Sequence, residues 1–174
     1  VELKRNQTLL WLFSRLPFKL PLPQMGGWAV SPDFAACVTA MVLERKPKMV
    51  VEAGSGVSTI VIAYCLEHLG PGMVVSLDHD EAFARKTTEE LRKHGLSHRA
   101  RVIHAPLVEH RHDGQTFQWY DLSKLDSLPD PIGLLVVDGP PTGTRTQVRY
   151  PALPLLRDLL SADAAIVLDD AARP

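Results

Sequence analysis

Val50-Val51-Glu52-Ala53-Gly54-Ser55-Gly56-Val57-Ser58-Thr59 is the segment that most restricts how this chain can fold. A β-branched run enters an acidic residue, passes two glycines and meets a helix start. The pattern predicts a strand that ends in a tight turn and opens directly into a helix. Glycine at Gly54 and Gly56 tolerates backbone angles that a Cβ forbids and lets a ligand come close to the main chain. The helix behind them offers unbonded N–H groups and the positive end of its dipole. A turn of this kind receives a nucleotide-like ligand in an open α/β sheet.

The rest of the chain alternates in the same way. Residues 48–53, 73–77, 101–104, 132–137 and 164–168 read as strands. Residues 6–16, 58–68 and 81–94 read as helices, as does a stretch that Ser31-Pro32-Asp33 caps and that runs to about Arg45. Gly70-Pro71-Gly72 and Gly95 supply stop signals. Residues 148–160 are expected to be mostly helix, with Pro151 and Pro154 confining its regular part to the C-terminal side. Asp113-Gly114 marks a hairpin turn with 115–120 as the return strand. Several strands are continuous apolar runs, the pattern of strands covered on both faces. The expected fold is a doubly wound, mostly parallel α/β sheet with helices on both faces. A helical extension or lid over residues 1–30 precedes one domain spanning 31–174.

Composition narrows the partners. The chain has 174 residues, 45% of them hydrophobic, and a net charge of −1, which gives no footprint for nucleic acid or an acidic membrane surface. No apolar run approaches the ~20 residues that span a bilayer. The run 8–13 is broken by Arg15 and Pro17 before any leader-like cleavage site. Cys37 and Cys65 both fall in apolar, helix-like segments and are expected to be buried reduced thiols, in keeping with a cytoplasmic location. No neighbouring residue completes a zinc spacing with them.

Glu52, Asp78, Asp138 and Asp169 each close a strand, at the sheet edge where ligands bind. A lone carboxylate there would be read as a cap for the next helix; four on one edge favour a site. Asp78 follows the glycine turn at the spacing of a carboxylate that accepts hydroxyl protons from a bound ribose. That alone would suit NAD. However, the turn lacks the third glycine of G-x-G-x-x-G, and Glu52 would bring negative charge near a pyrophosphate. Glu52 is compatible with a cofactor carrying a positive charge and an ammonium group.

At this point the chain resembles a family. Glu52-x-Gly54-x-Gly56-x-Ser58 looks like motif I of class I S-adenosyl-L-methionine-dependent methyltransferases. The ordered series VVEAGSGVSTI, VVSLDHD, HAPL, WYD, LLVVDGPP, RYPALP and IVLDDAAR resembles a bacterial small-molecule group near the catechol and macrocin O-methyltransferase families, over residues 24–174. The resemblance implies that Gly54 and Gly56 let the main chain approach the methionine end, with Ser58 bonding its carboxylate and Glu52 and Ser55 among the cofactor-binding residues. It implies that Asp78 holds the ribose with His79 beside it, that Ala105, with His104 and Leu107, lies near the adenine, and that Asp138 sits beside the transferable methyl. S-adenosylhomocysteine would be the product. Catechol-type relatives place three oxygen ligands for Mg²⁺ where Asp138, Asp169 and Asp170 stand here. Their lysine base is not matched, because the loop 139–145 ends in Arg145, which cannot deprotonate a substrate. If a base is needed, Asp138 or a histidine must supply it. The family also adds strands after the fifth, so C-terminal strands are expected to be missing.

Other aromatic and histidine positions have plainer readings. His110 and His112 share a strand face, and a surface hairpin accounts for them. Trp28, Trp119 and Tyr120 fall in segments that resemble the family's cofactor and substrate rim. The stripe Leu9, Leu10, Trp11, Leu12 and Phe13 is expected to contact something, as a lid or a homodimer surface, and the fifth-strand edge is a second dimer candidate. The leading functional expectation is methyl transfer to a small-molecule acceptor, at a hydroxyl oxygen, with Mg²⁺ as a candidate aid. The alternatives are an NAD-dependent oxidoreductase and a non-catalytic S-adenosylmethionine-binding interaction module.

Overall fold

Five parallel strands carry the fold, and their order explains why the acidic residues gather at one edge. The computed structural model describes residues 2–25, 30–125, 127–141 and 148–169. The sheet contains β1 (Met49–Ala53), β2 (Met73–Asp78), β3 (Ala100–His104), β6 (Ile132–Val137) and β7 (Leu160–Leu168), in the order β3-β2-β1-β6-β7. Every pairing in it is parallel. β1 therefore has β2 on one side and β6 on the other, and the order reverses between β1 and β6. In an open α/β sheet a crevice forms at this reversal, outside the carboxyl ends of the strands.

The helices are α1 (Glu2–Arg15), α2 (Pro32–Arg45), α3 (Val57–Leu69), α4 (Glu81–Lys93) and the short α5 (Ala152–Leu156). α2 starts where Ser31 accepts a hydrogen bond from the Phe34 N–H, with Pro32 at its first position. Asp80 caps α4 by accepting from the Ala82 and Phe83 N–H groups. β1 is buried along its whole length, Glu52 included, as a central strand covered on both faces. One face of the sheet, through Val50, Val74, Leu134 and Val136, packs against Val38, Val42, Ile60 and Tyr64 of α2 and α3. The other face, through Val51, Leu77, Leu135 and Val137, packs against Trp119, Tyr120, Leu125 and Leu156. The sheet is thus covered on both sides, but its second cover is mainly a hairpin and a short helix.

That hairpin is a separate two-stranded antiparallel sheet of β4 (Leu107–His112) and β5 (Gln115–Tyr120). Asp113 and Gly114 both take positive φ, 47° and 74°, as the Asp-Gly turn predicts. His110 donates from Nε2 to the Tyr120 carbonyl (2.9 Å), a hairpin contact rather than a metal ligand set.

Two expectations are corrected. The segment 148–160 is not mostly helical. After a turn it gives five residues of α5, then a 3-10 turn at Arg157–Leu159, and β7 begins at Leu160 rather than 164. Pro151 opens the helix, and Pro154 removes a donor from it, so little regular helix remains. Cys37 is exposed, on the outer side of α2, whereas Cys65 is buried with its thiol pKa pushed up to about 12 by burial. Both thiols are free. In the N-terminal stripe, Leu12 is buried on the core while Leu10 and Phe13 stay exposed. Trp28 lies outside the described residues. No helix of the described chain is long and apolar enough to cross a membrane.

Candidate active site

The turn after β1 is built around Glu52. Its side chain is fully buried and lies on the α3 face of the sheet, where β1 and β2 set it beside Ser76. Ser76 Oγ donates to Glu52 Oε2 at 2.6 Å and Thr59 Oγ1 donates to the same oxygen at 2.5 Å. Thr59 in turn accepts from the Gly56 N–H at 3.1 Å, which ties the turn to the first turn of α3. Ser58 is buried at the same place and, with Ser76 and Thr59, acts to lower the Glu52 pKa. Burial holds the Glu52 pKa above the ordinary carboxylate range, against the lowering effect of these hydroxyls. Glu52 Oε1 is buried and makes no hydrogen bond among the described residues.

Gly54 and Gly56 take φ of 105° and 154°, angles that side-chain-bearing residues rarely adopt. Gly54 also has a packing reason. A Cβ there would stand 3.3 Å from the Gly139 nitrogen, so the loops after β1 and β6 meet backbone to backbone. Ser55 points to the neighbouring strand and donates to Asp78 Oδ2 at 2.5 Å. The other Asp78 oxygen accepts from the Asp80 N–H at 3.0 Å. His79 Nδ1 lies 3.7 Å from Asp78 Oδ1 and its ring is 6.3 Å from that of Tyr120. The Ala105 N–H donates to the Asp78 carbonyl at 2.8 Å, which fixes the chain after β3 against the end of β2. Glu52, Gly54, Ser55, Gly56, Ser58, Asp78, His79 and Ala105 thus gather at the ends of β1, β2 and β3.

The ends of β6 and β7 hold a different chemistry. Asp138 is half-buried, and its pKa is pushed up to about 8, first by burial and then by hydrogen bonding and like charge from Asp169. Arg149 works against that shift. Its Nη2 donates to the Asp138 carbonyl at 3.0 Å and lies 3.5 Å from Asp138 Oδ1. Its Nη1 donates to the Asp169 carbonyl. Asp170 lies outside the described residues. Among the described residues no three His, Cys, Asp or Glu side chains form a group able to hold a metal ion.

Two residues at this edge carry no strong local signal in the sequence. Tyr120 leaves the hairpin and places its hydroxyl against Gly139, where any Cβ would overlap it. Its pKa is raised by burial and by the charges of Asp78, Asp138 and Glu52, so it faces both halves of the edge. Arg149 stands two residues before Pro151, and nothing in its spacing marks it. The segments WYD and RYPALP contain them, but only the packing shows where they point.

The sheet order and the crevice at its reversal define a Rossmann-like methyltransferase fold. A family model described as a methyltransferase domain matches residues 51–171, and the chain belongs to that family. Among solved structures it is similar to an O-methyltransferase from Bacillus cereus in complex with SAH, at 20% identity and a TM-score of 0.64, over 97% of this chain and 66% of that one. It is similar to SAH-bound PaMTH1 of Podospora anserina, at 20% identity and TM-score 0.61, over 94% and 60% of the two chains. It is also similar to TomG of Streptomyces achromogenes in complex with SAM, at 17% identity and TM-score 0.62, over 96% and 72%. The chain therefore spans less than two thirds of the length of PaMTH1 and of the Bacillus cereus enzyme. No curated protein matches it.

Proposed function

We propose that this chain binds S-adenosylmethionine in the crevice between β1 and β6 and transfers its methyl group to a hydroxyl oxygen of a small molecule. The observation that carries this reading is the Gly54–Gly56 turn, set between a fully buried Glu52 and an Asp78 whose oxygens face the same edge. The residues fit the cofactor. Positive φ at both glycines opens the main chain beside the α3 N-terminus, where a carboxylate is favoured. Glu52 Oε1 is an unused buried acceptor, as an ammonium group requires. Asp78 has the two oxygens that a ribose diol needs, with Ser55 as the group it would release. The bound cofactor supplies an electrophilic methyl group.

The chain's own contribution is alignment and exclusion of water. Methyl transfer is an in-line displacement, and fixing the acceptor against the donor removes much of its entropic cost. Asp138 stands at the end of β6, across the Gly54–Gly139 contact from the turn. In this reading it accepts the proton of the acceptor hydroxyl, and a pKa near 8 suits a base working near neutrality. The Arg149 guanidinium faces the Asp138 carboxylate, a cation already set where a divalent ion would be held.

Calorimetric titration of the chain with S-adenosylhomocysteine and with NADH tests the reading. Saturable binding of S-adenosylhomocysteine, weakened by Asp78→Asn, is expected. Binding of NADH without S-adenosylhomocysteine would overturn the proposal in favour of a dinucleotide site.

A further inference from the structure

The ends of β6 and β7 meet at one guanidinium. Each strand end leaves a main-chain carbonyl, at Asp138 and Asp169, as the chain turns out of the ladder, and a buried carbonyl needs a donor. A divalent ion brings charge but no donor. The Arg149 guanidinium brings both. Its planar fork sends one nitrogen to each carbonyl and brings Nη2 to 3.5 Å from Asp138 Oδ1. The Arg149 side chain is only 15% exposed and that of Asp138 21%, so water screens the pair incompletely.

Resting on the methyltransferase reading above, we propose that Arg149 is the resident cation of the acceptor side, a positioning residue that holds Asp138 and joins the ends of β6 and β7 in place of a divalent metal. A fixed positive charge at this distance repels an incoming divalent ion. Mg²⁺ also demands near-ideal octahedral oxygen geometry and gives up its water reluctantly. Arg149 cannot lose its proton at any working pH, so the charge is permanent. Lysine would keep the charge but not the fork. The charge of Arg149 and its tie between the two strand ends can therefore be separated by substitution.

The test uses Mn²⁺ as the probe, followed by electron paramagnetic resonance on the whole chain, with the melting temperature of each variant recorded. The wild type is expected to take up no stoichiometric Mn²⁺. Arg149→Met removes the charge beside the Asp138 carboxylate and should tighten Mn²⁺ binding about tenfold or more, given the size of a unit-charge interaction at this range. Adding Asp138→Asn to that variant should abolish the gain. Arg149→Lys should keep Mn²⁺ excluded while lowering the melting temperature. A purely structural tie would lower stability in Arg149→Met without creating metal affinity, and that outcome overturns the proposal. So does wild-type Mn²⁺ binding that Asp138→Asn removes, a comparison that holds even if Arg149→Met does not fold. S-adenosylhomocysteine titration of the same wild-type sample separates the two claims: its failure breaks the methyltransferase reading and leaves the Mn²⁺ result to judge Arg149.

Discussion

The two halves of the sheet edge solve the same problem by different means. After β1 and β2, carboxylates are held by hydroxyls and main-chain N–H groups: Glu52 by Ser76 and Thr59, Asp78 by Ser55 and Asp80. After β6 and β7, the Asp138 carboxylate faces a charge instead, from an Arg149 whose fork also donates to the Asp138 and Asp169 carbonyls. The first half is a preorganised cradle whose partners come from neighbouring strands and the first turn of α3. The second depends on a guanidinium delivered from outside the ladder. The difference teaches that the first half should respond mainly to shape and hydrogen bonding, and the second mainly to protons and ions.

The largest effect is expected where the halves touch. Gly139→Ala puts a methyl into the Tyr120 hydroxyl and 3.3 Å from both the Ala53 carbonyl and the Gly54 Cα. Overpacking of this kind should cost about 3 kcal/mol, read by chemical denaturation. Adding Tyr120→Phe should restore part of that loss; no recovery would mean that the backbone contact, not the hydroxyl, sets the limit.

Next comes Glu52. Glu52→Ala leaves the Ser76 and Thr59 hydroxyls buried without their acceptor and should cost about 2 kcal/mol. Glu52→Gln keeps an acceptor and should cost under about 1 kcal/mol. Equal losses in the two variants would show that volume, not hydrogen bonding, holds this half together.

Asp78→Asn probes the cradle without unfolding it. It removes a charged acceptor, so S-adenosylhomocysteine affinity should fall about tenfold, measured by calorimetry. An unchanged affinity would move the ribose site elsewhere.

The smallest effect is a slope. The folded pKa of Asp138 lies above its ordinary value of 3.8, so the folded state binds more protons between that value and about 8. Its contribution to stability is full below the lower value and is lost as pH rises through the upper one, by at most about 1.4 kcal/mol per pH unit. Asp138→Asn should flatten that part of the stability–pH curve. Glu52→Gln should flatten it too if burial keeps Glu52 protonated, and comparing the two slopes ranks the halves by their sensitivity to protons.

Much of the cradle was legible in the sequence because its signals are local. A β-branched run predicts β1, Gly54 and Gly56 predict the turn, and the strand-ending positions of Glu52 and Asp78 place them at the edge. The hairpin was legible through Asp113-Gly114. The region around Arg149 was not. Pro151 and Pro154 disguise a short α5 and an early β7 as one long helix. Cys37 lies in an apolar-looking helix, yet the helix turns it outward. Tyr120 belongs to a hairpin whose own pairing says nothing of Gly139.

The sequence by itself determined the alternation of strands and helices, the glycine turn and the line of acids closing the strands, because periodicity, backbone freedom and strand ends are properties of neighbouring residues. Only the tertiary structure decided that Glu52 is buried beneath Ser76 and Thr59, that Tyr120 meets Gly139, and that Arg149 spans two strand ends. Those pairings join residues far apart along the chain. Burial and fixed charge then set their chemistry, through a desolvation that exists only once the sheet is assembled.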